Sequence, residues 1–355
     1  MPDSLQLPDA LPVAGTRPDP PLVVIGTSAG GIEALITLLG GLQPGFPAAV
    51  CIVLHLSPHT PSNLAKVLQP HSALPVRAAA DGDVLEAGRI YTPTADRHMM
   101  IDGNVIRLTR GPRECRTRPA IDVLFRSAAV AKGADVVGVV LTGMLDDGTA
   151  GLWAVKDRGG QALVESPETA QYPSMPRSAR AHVAVDAALP IEQMAAELTL
   201  RTRRMRTNME QSDAAPSDGM AVEVSIAAEG NGLRAGVMDL GKVSSYTCPD
   251  CHGVLVEIVD GSVTRFRCHT GHAYSIKTLL SDVNEAIDLS LWATLRAIEE
   301  RAMLLEQWAA MATQTGDLDV AQDCRTQAAN AMERAETIRS MVLDAKLFGH
   351  TPREE

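Results

Sequence analysis

The sequence predicts an α/β fold: a doubly wound, mostly parallel sheet with helices on both faces, followed by a small Cys- and His-bearing hairpin and an α-helical hairpin. Three patterns carry that expectation. Apolar runs near residues 22–26, 49–54, 136–141 and 161–164 alternate with helix-like stretches near 31–40, 120–131, 149–158 and 190–204, as in a parallel sheet with crossover helices. Two ligand-type pairs bracket a short strand–turn–strand stretch between Cys248 and His272. Beyond them an apolar stripe at helical spacing runs through two segments interrupted at Thr315-Gly316-Asp317.

Composition sets bounds on function. At 355 residues and 45% hydrophobic content the chain is long enough for two domains with a substantial core. A net charge of −11 argues against a nucleic-acid partner, whose phosphates would demand lysine and arginine. No apolar run reaches the length that spans a bilayer, so no membrane insertion is expected. Met1 to Pro20 is rich in proline and aspartate and lacks the basic start and apolar middle of a signal peptide. The expectation is a cytoplasmic protein with a disordered tail over residues 1–20. The six cysteines do not form a disulfide framework pattern, since Cys51 lies inside an apolar run and three others cluster with histidines.

The first apolar run, Leu22-Val23-Val24-Ile25, leads through Gly26-Thr27-Ser28-Ala29-Gly30 into a helix-like stretch that begins near Ile32. Glycines around a serine on a strand-to-helix turn relieve the strain of exposing its hydroxyl, and the helix start supplies free N–H groups for a developing oxyanion. An ordinary phosphate-binding turn is the alternative, although Ser28 stands where the dinucleotide fingerprint has its second glycine. The second run ends in His55, and the third ends in Thr142-Gly143-Met144-Leu145-Asp146-Asp147-Gly148. Carboxyl ends of parallel strands share one edge of the sheet, so Ser28, His55 and Asp147 can converge there. Taken singly, each has a plainer reading: the histidine bonds a backbone group, and Asp-Gly makes a turn or a helix cap. The order Ser, His, Asp differs from that of the α/β-hydrolases, but a triad is defined by geometry rather than by chain order.

These residues resemble the catalytic domain of the chemotaxis protein-glutamate methylesterases (CheB). The resemblance rests on Ile25-Gly26-Thr27-Ser28-Ala29-Gly30-Gly31, Val53-Leu54-His55-Leu56, Arg118-Pro119-Ala120-Ile121-Asp122-Val123-Leu124-Phe125, Leu141-Thr142-Gly143-Met144 with Asp147-Gly148, and Met175-Pro176-Arg177. It covers about residues 20 to 200. It implies Ser28 as nucleophile, His55 as base and Asp147 as the orienting acid, with no cofactor for catalysis. It also implies γ-glutamyl methyl esters on a methylated chemoreceptor-like signalling protein as substrate, with glutamine deamidation as a second activity. Ala29 stands where the family often has threonine, and Leu145 where it usually has glycine. The family's usual receiver domain is not expected here, because only a short tail precedes Leu22. Control is expected instead from the segment between Lys242 and Phe348.

Residues 76–110 hold strand-like pieces, Arg89-Ile90-Tyr91 and Val105-Ile106-Arg107-Leu108, read as a hairpin around Asp102-Gly103-Asn104. Arg201, Arg203, Arg204 and Arg206 read as a solvated helix end or, alternatively, a docking patch. Arg177 either steers acidic partner helices or makes a structural ion pair. The domain expectation is a tail over 1–20, a methylesterase-type catalytic domain over 21–205, a linker over 206–240, a zinc-ribbon-like module over 241–280 and a helical hairpin over 281–348.

In the ribbon, Cys248-Pro249-Asp250-Cys251 faces Cys268-His269-Thr270-Gly271-His272 across an Asp260-Gly261 turn. Cys248, Cys251, Cys268 and His272 supply the four sulfur and nitrogen ligands of one structural zinc, with His252 and His269 as spare candidates. Reduced unligated thiols, or a redox pair, are the alternatives. In the helices, Val283, Ile287, Leu291, Leu295, Ile298, Ala302 and Leu305 are followed by Ala321, Cys324, Ala328, Ala331, Ala335, Ile338, Val342 and Ala345. That stripe reads as the seam of an antiparallel pair, or as a partner or dimer contact, with Trp292 and Trp308 able to fill either. Two functional classes result: a serine ester hydrolase, or a non-catalytic signalling scaffold on an esterase fold.

Overall fold

The computed structural model describes residues 19–55, 62–207 and 218–344. Residues 1–18 of the expected tail, 208–217 of the expected linker and 345–348 of the expected hairpin lie outside the described residues. The chain divides into two units: Met1–Gly111 with Thr117–Glu229, and Pro112–Arg116 with Gly230–Glu355.

The described elements of the first unit are, in order, β1 (Leu22–Thr27), α1 (Gly31–Gly41), β2 (Ala49–Leu54), α2 (Leu64–Leu68), β3 (Val76–Ala78), β4 (Ile90–Thr92), β5 (His98–Asp102), β6 (Val105–Thr109) and α3 (Ile121–Lys132). They continue with β7 (Val136–Val140), α4 (Thr149–Asp157), β8 (Gln161–Glu165), α5 (Ser174–His182), β9 (Ala187–Leu189), α6 (Ile191–Thr207) and α7 (Asp218–Glu229). Seven strands form one sheet in the order β3-β4-β2-β1-β7-β8-β9, and each neighbouring pair is parallel.

Both faces of this sheet are covered, which is why its strands read as continuous apolar runs rather than alternating ones. Leu22, Val24, Cys51 and Val53 pack with Leu124, Phe125, Leu152 and Val155 of α3 and α4 on one face. Val23, Ile25, Val50 and Ile52 pack with Leu35, Leu38, Leu39, Met194 and Leu198 of α1 and α6 on the other. Each such fully buried side chain contributes about 1.5–3 kcal/mol relative to exposure. Strand order reverses at β1, with β2 on one side and β7 on the other, so the carboxyl ends of these three strands border the crevice where α/β proteins place ligands.

Two expectations change. The hairpin around Gly103 pairs β5 with β6, while Ile90-Tyr91-Thr92 leaves it to join the main sheet, with Ile90 opposite Val50 and Val76. All three of its residues are buried, which suits a strand covered on both faces. The stretch expected as a linker carries α7, whose Val224 and Ala227 pack with Met100, Ala120 and Val123. Glu223 of α7 forms a buried ion pair with Arg126. The polar residues before Asp218 signal a linker, but the apolar spacing within 218–229 belongs to a packed helix.

The described elements of the second unit are α8 (Gly232–Ala235), β10 (Lys242–Thr247), β11 (Val254–Asp260), β12 (Val263–Cys268), β13 (Ala273–Ser275), α9 (Ile276–Thr315) and α10 (Leu318–Leu343). The expected β11–β12 hairpin turns at Asp260-Gly261, where Gly261 has φ +59°, and β10 and β13 widen it to a four-stranded antiparallel sheet. Pro112–Arg116 adds to it: Glu114 bridges to Ala273, and its carboxylate meets Arg267 at 2.8 Å with both side chains about fully buried. Helix α9 starts inside the stretch expected as ribbon, because Ser275 and Thr278 form a reciprocal cap. The helical hairpin turns at Gly316 (φ +83°), and Asp317 caps α10. Leu305 and Ala309 meet Cys324 and Ala328 in the seam, whereas Trp292 and Trp308 are 46% and 57% exposed and stay out of it.

Candidate active site

Ser28 occupies the turn between the end of β1 at Thr27 and the start of α1 at Gly31. Gly30 takes φ +73°, and a side chain on Gly31 would lie within 2.5–2.9 Å of Thr27 and Leu54, so strand and helix approach closely enough to press the serine outward. The turn is fastened to the segment after β7. Ser28 N and the Thr27 hydroxyl both donate to the Thr142 carbonyl, at 3.0 and 2.8 Å, and the Thr142 hydroxyl donates to the Ala29 carbonyl at 3.1 Å.

His55 follows β2, and Asp147 lies between β7 and α4. The ring Nδ1 of His55 is 3.1 Å from Ser28 Oγ, and Nε2 is 2.7 Å from Asp147 Oδ2. The proton therefore belongs on Nε2, donated to the carboxylate, which leaves the Nδ1 lone pair to accept from the serine hydroxyl. His55 keeps 18% of its side chain exposed, whereas Asp147 keeps 3%. Three donors hold the buried carboxylate: Ile121 N at 2.8 Å and His55 on Oδ2, and Asp122 N at 3.1 Å on Oδ1. These donors at the start of α3 fix the carboxylate in position and orientation. Arg177 is exposed on α5 and borders a surface cavity of about 290 Å³ with Glu168 and Arg180.

The sequence reading does not single out Thr142 or Glu165. The Thr142 hydroxyl accepts from Tyr172 N at 2.8 Å, and its amide donates to Glu165 Oε2 at 2.8 Å, tying the 142–143 and 172 segments beside Ser28. A polar residue ending an apolar strand is the signal that marks Thr142. Burial pushes the Glu165 carboxyl up, against the opposing hydrogen bond from Thr142.

In the second unit Cys248, Cys251, Cys268 and His272 come together, all four ligand atoms lying within 4.8 Å of one another. Cys251 Sγ is 3.6 Å from Cys268 Sγ, and His272 Nδ1 is 3.6 Å from both Cys248 Sγ and Cys268 Sγ. Tetrahedral zinc with bonds of about 2.0–2.3 Å needs ligand separations of about 3.5–3.8 Å. The cluster can hold a metal of that size. Its hydrogen bonds with Cys268 push the His272 imidazole up to about 9. His252 and His269 are not part of the quartet.

Residues 23–198 match the family model described as CheB methylesterase. The chain is 41% identical over 189 residues to protein-glutamate methylesterase/protein-glutamine glutaminase 3 of Burkholderia orbicola (strain AU 1054), over 53% of this chain and 56% of that protein. It is 41% identical over 187 residues to protein-glutamate methylesterase/protein-glutamine glutaminase 5 of Myxococcus xanthus (strain DK1622), over 51% and 53% respectively. The chain thus spans little more than half the length of these curated relatives. Among solved structures it is similar to the Thermotoga maritima CheB methylesterase catalytic domain, with 31% identity and a TM-score of 0.49 over 51% of this chain and 98% of that one.

Proposed function

Because the chain belongs to the CheB methylesterase family through residues 23–198, we propose that it hydrolyses γ-glutamyl methyl esters on a methylated chemoreceptor-like protein, using Ser28, His55 and Asp147. The observation that carries this reading is the hydrogen-bonded chain from Ser28 Oγ through His55 Nδ1 and Nε2 to Asp147 Oδ2, at 3.1 and 2.7 Å. His55 Nδ1 takes the serine proton as Oγ attacks the ester carbonyl, and Asp147 stabilises the imidazolium through Nε2–H. The backbone N–H groups of Ala29 and Met144, on the two segments that Thr142 joins, receive the oxyanion. Collapse expels methoxide, which takes the proton from His55 and leaves as methanol. Water then attacks the glutamyl-serine ester with His55 again as base, releasing glutamate and the serine hydroxyl. A glutamine side chain enters the same route with ammonia as leaving group, in keeping with the glutaminase named in both relatives.

No described helix is long and apolar enough to cross a membrane, and the reading places the protein in the cytoplasm, where receptor glutamates are methylated. Zinc in the Cys248, Cys251, Cys268 and His272 quartet is structural in this proposal, since four protein ligands leave no open position for hydrolysis. The helical hairpin serves contact with a partner, a role supported by the exposed Leu304, Trp308 and Met311 on α9.

The full chain and its Ser28→Ala variant, each incubated with methylated receptor, separate the two classes of function. Methanol release by the wild type and its loss in the variant by about three orders of magnitude or more is the expected result. A wild type that releases no methanol and whose Ser28 is not labelled by a fluorophosphonate is a scaffold.

A further inference from the structure

Asp147 binds the start of α3, which carries Asp122, and Asp122 binds the start of α4, which follows Asp147. Asp147 precedes Gly148, the residue that caps α4, yet its carboxylate accepts from Ile121 N at 2.8 Å and Asp122 N at 3.1 Å, the first two amides of α3. Asp122 returns the arrangement: its Oδ1 accepts from Gly148 N at 3.0 Å and Gly151 N at 2.6 Å, at the start of α4. Both aspartates are about 95% or more buried. The helix starts can approach this closely because both residues on the α4 side lack a side chain. A Cβ on Gly151 would lie 2.9 Å from Asp122 Cα, and one on Gly148, at φ +95°, would lie 2.9 Å from Ile121 Cγ2.

The consequence concerns the backbone at Asp147. Its side chain is aimed by α3, but the peptide that follows it, the Gly148 N–H, is held by Asp122. Withdrawing the Asp122 carboxylate leaves two buried amides at the start of α4 without their acceptor. The 147–148 peptide is then free to rotate toward other acceptors, and Oδ2 moves with it relative to His55 Nε2. We propose that Asp122 is a positioning residue for ester hydrolysis, acting through Asp147 and never touching substrate. It rests on the esterase reading only for its kinetic readout.

The test compares Asp122→Ala with Asp122→Asn in the full chain, at a temperature where circular dichroism shows each variant folded. Asparagine keeps an oxygen that can accept from Gly148 N and Gly151 N; alanine does not. A displacement of about 1 Å at the reacting groups lowers turnover about 100-fold. Asp122→Ala is therefore expected to lose about 100-fold in kcat on a small methyl ester with KM unchanged, and Asp122→Asn about tenfold or less. The Nε2–H proton resonance of His55, far downfield when bonded to a buried carboxylate, should vanish or shift in the alanine variant and persist in the asparagine one. This second readout needs no turnover, so an inactive wild type refutes the esterase while leaving the positioning claim testable. If Asp122→Ala does not fold, a wild-type resonance and kcat in Asp122→Gly, which also lacks the acceptor, or in Asp122→Leu decide against the proposal. Wild-type kcat with an unmoved His55 resonance in any folded variant lacking the acceptor overturns it, as does an equal loss in the asparagine variant.

Discussion

The Ser174 hydroxyl donates to the carbonyl oxygen of Leu145 across 3.0 Å, fixing a leucine in the left-handed backbone region at φ +62°. This is the position where the family resemblance leads one to expect glycine. The left-handed conformation costs a branched side chain about 1–2 kcal/mol, and glycine returns about 0.5–1 kcal/mol of that through its more flexible unfolded chain. Leu145→Gly should therefore stabilise the protein by about 0.5–1 kcal/mol, raising Tm by about 1–4 °C. Esterase turnover should hardly change, because Ser174 still holds the carbonyl. A lowered Tm would show that the leucine side chain contributes more packing than its partial exposure suggests.

Gly143 behaves oppositely. A Cβ there would run into Met175 Sδ and come within 3.0 Å of Ser28 Cβ, while the Gly143 amide and carbonyl are already bonded to Tyr172 O at 2.9 Å and Met175 N at 3.0 Å. Nothing on that segment can retreat without releasing one of these bonds. Gly143→Ala should destabilise by about 1–3 kcal/mol through overpacking. The same substitution should lower kcat by at least tenfold by displacing Ser28 from His55. Unfolding curves and ester turnover check the two effects separately, and an active, stable variant would mean that Met175 repacks freely.

Glu165 ties stability to pH. Burial raises its carboxyl above the ordinary value of 4.5, the Thr142 hydrogen bond opposes this, and Glu192 adds repulsion. The folded state thus binds this proton more readily than the unfolded chain. Its contribution to stability is fully present below pH 4.5 and is lost as pH rises through the elevated folded value. Glu165→Gln keeps an acceptor for Thr142 N and carries no charge at any of these pH values. Tm measured against pH should fall less steeply from pH 4.5 upward in the variant than in the wild type. Superimposable slopes would show that the buried carboxylate is already compensated.

The convergence of Ser28, His55 and Asp147 is legible in the sequence because each lies on the segment that follows an apolar run, and parallel strands bring such segments to one edge whatever fills the loops between them. The quartet of Cys248, Cys251, Cys268 and His272 is legible because metal-ligand spacing is local. Asp122 is not: its role depends on α3 and α4 starting side by side, a contact between residues 26 and 29 positions apart that no periodicity records. Ile90-Tyr91-Thr92 is misread for a related reason, since three residues are too few to show whether one face or two will be covered. Helix α7 is hidden by Pro216 and its polar neighbours, and its packing with Met100, Ala120 and Val123, with the Glu223–Arg126 ion pair, reveals that the first unit extends to Glu229.

Metal removal should act on the second unit. Its small sheet clusters Leu255, Phe266 and Tyr274 with Leu279 of α9 beside the cysteines, and although Val256, Ile258 and Val263 are buried too, a core of this size leaves the unit marginally stable without a metal. Ligand binding by Cys248, Cys251, Cys268 and His272 would supply the difference, because binding energy in such clusters is folding energy. Elemental analysis of protein purified without chelator should find one zinc per chain. Chelation, or acid sufficient to protonate the thiolates, should release it and lower the Tm of this unit. Cys251→Ser should reproduce the effect, removing most of the metal. His252→Ala and His269→Ala should keep it, since neither residue belongs to the quartet. Full metal content in Cys251→Ser, or none in the wild type, would refute the assignment. A melting profile that chelator leaves unmoved while metal is lost would show that the hairpin and its flanking strands hold the fold without the ion.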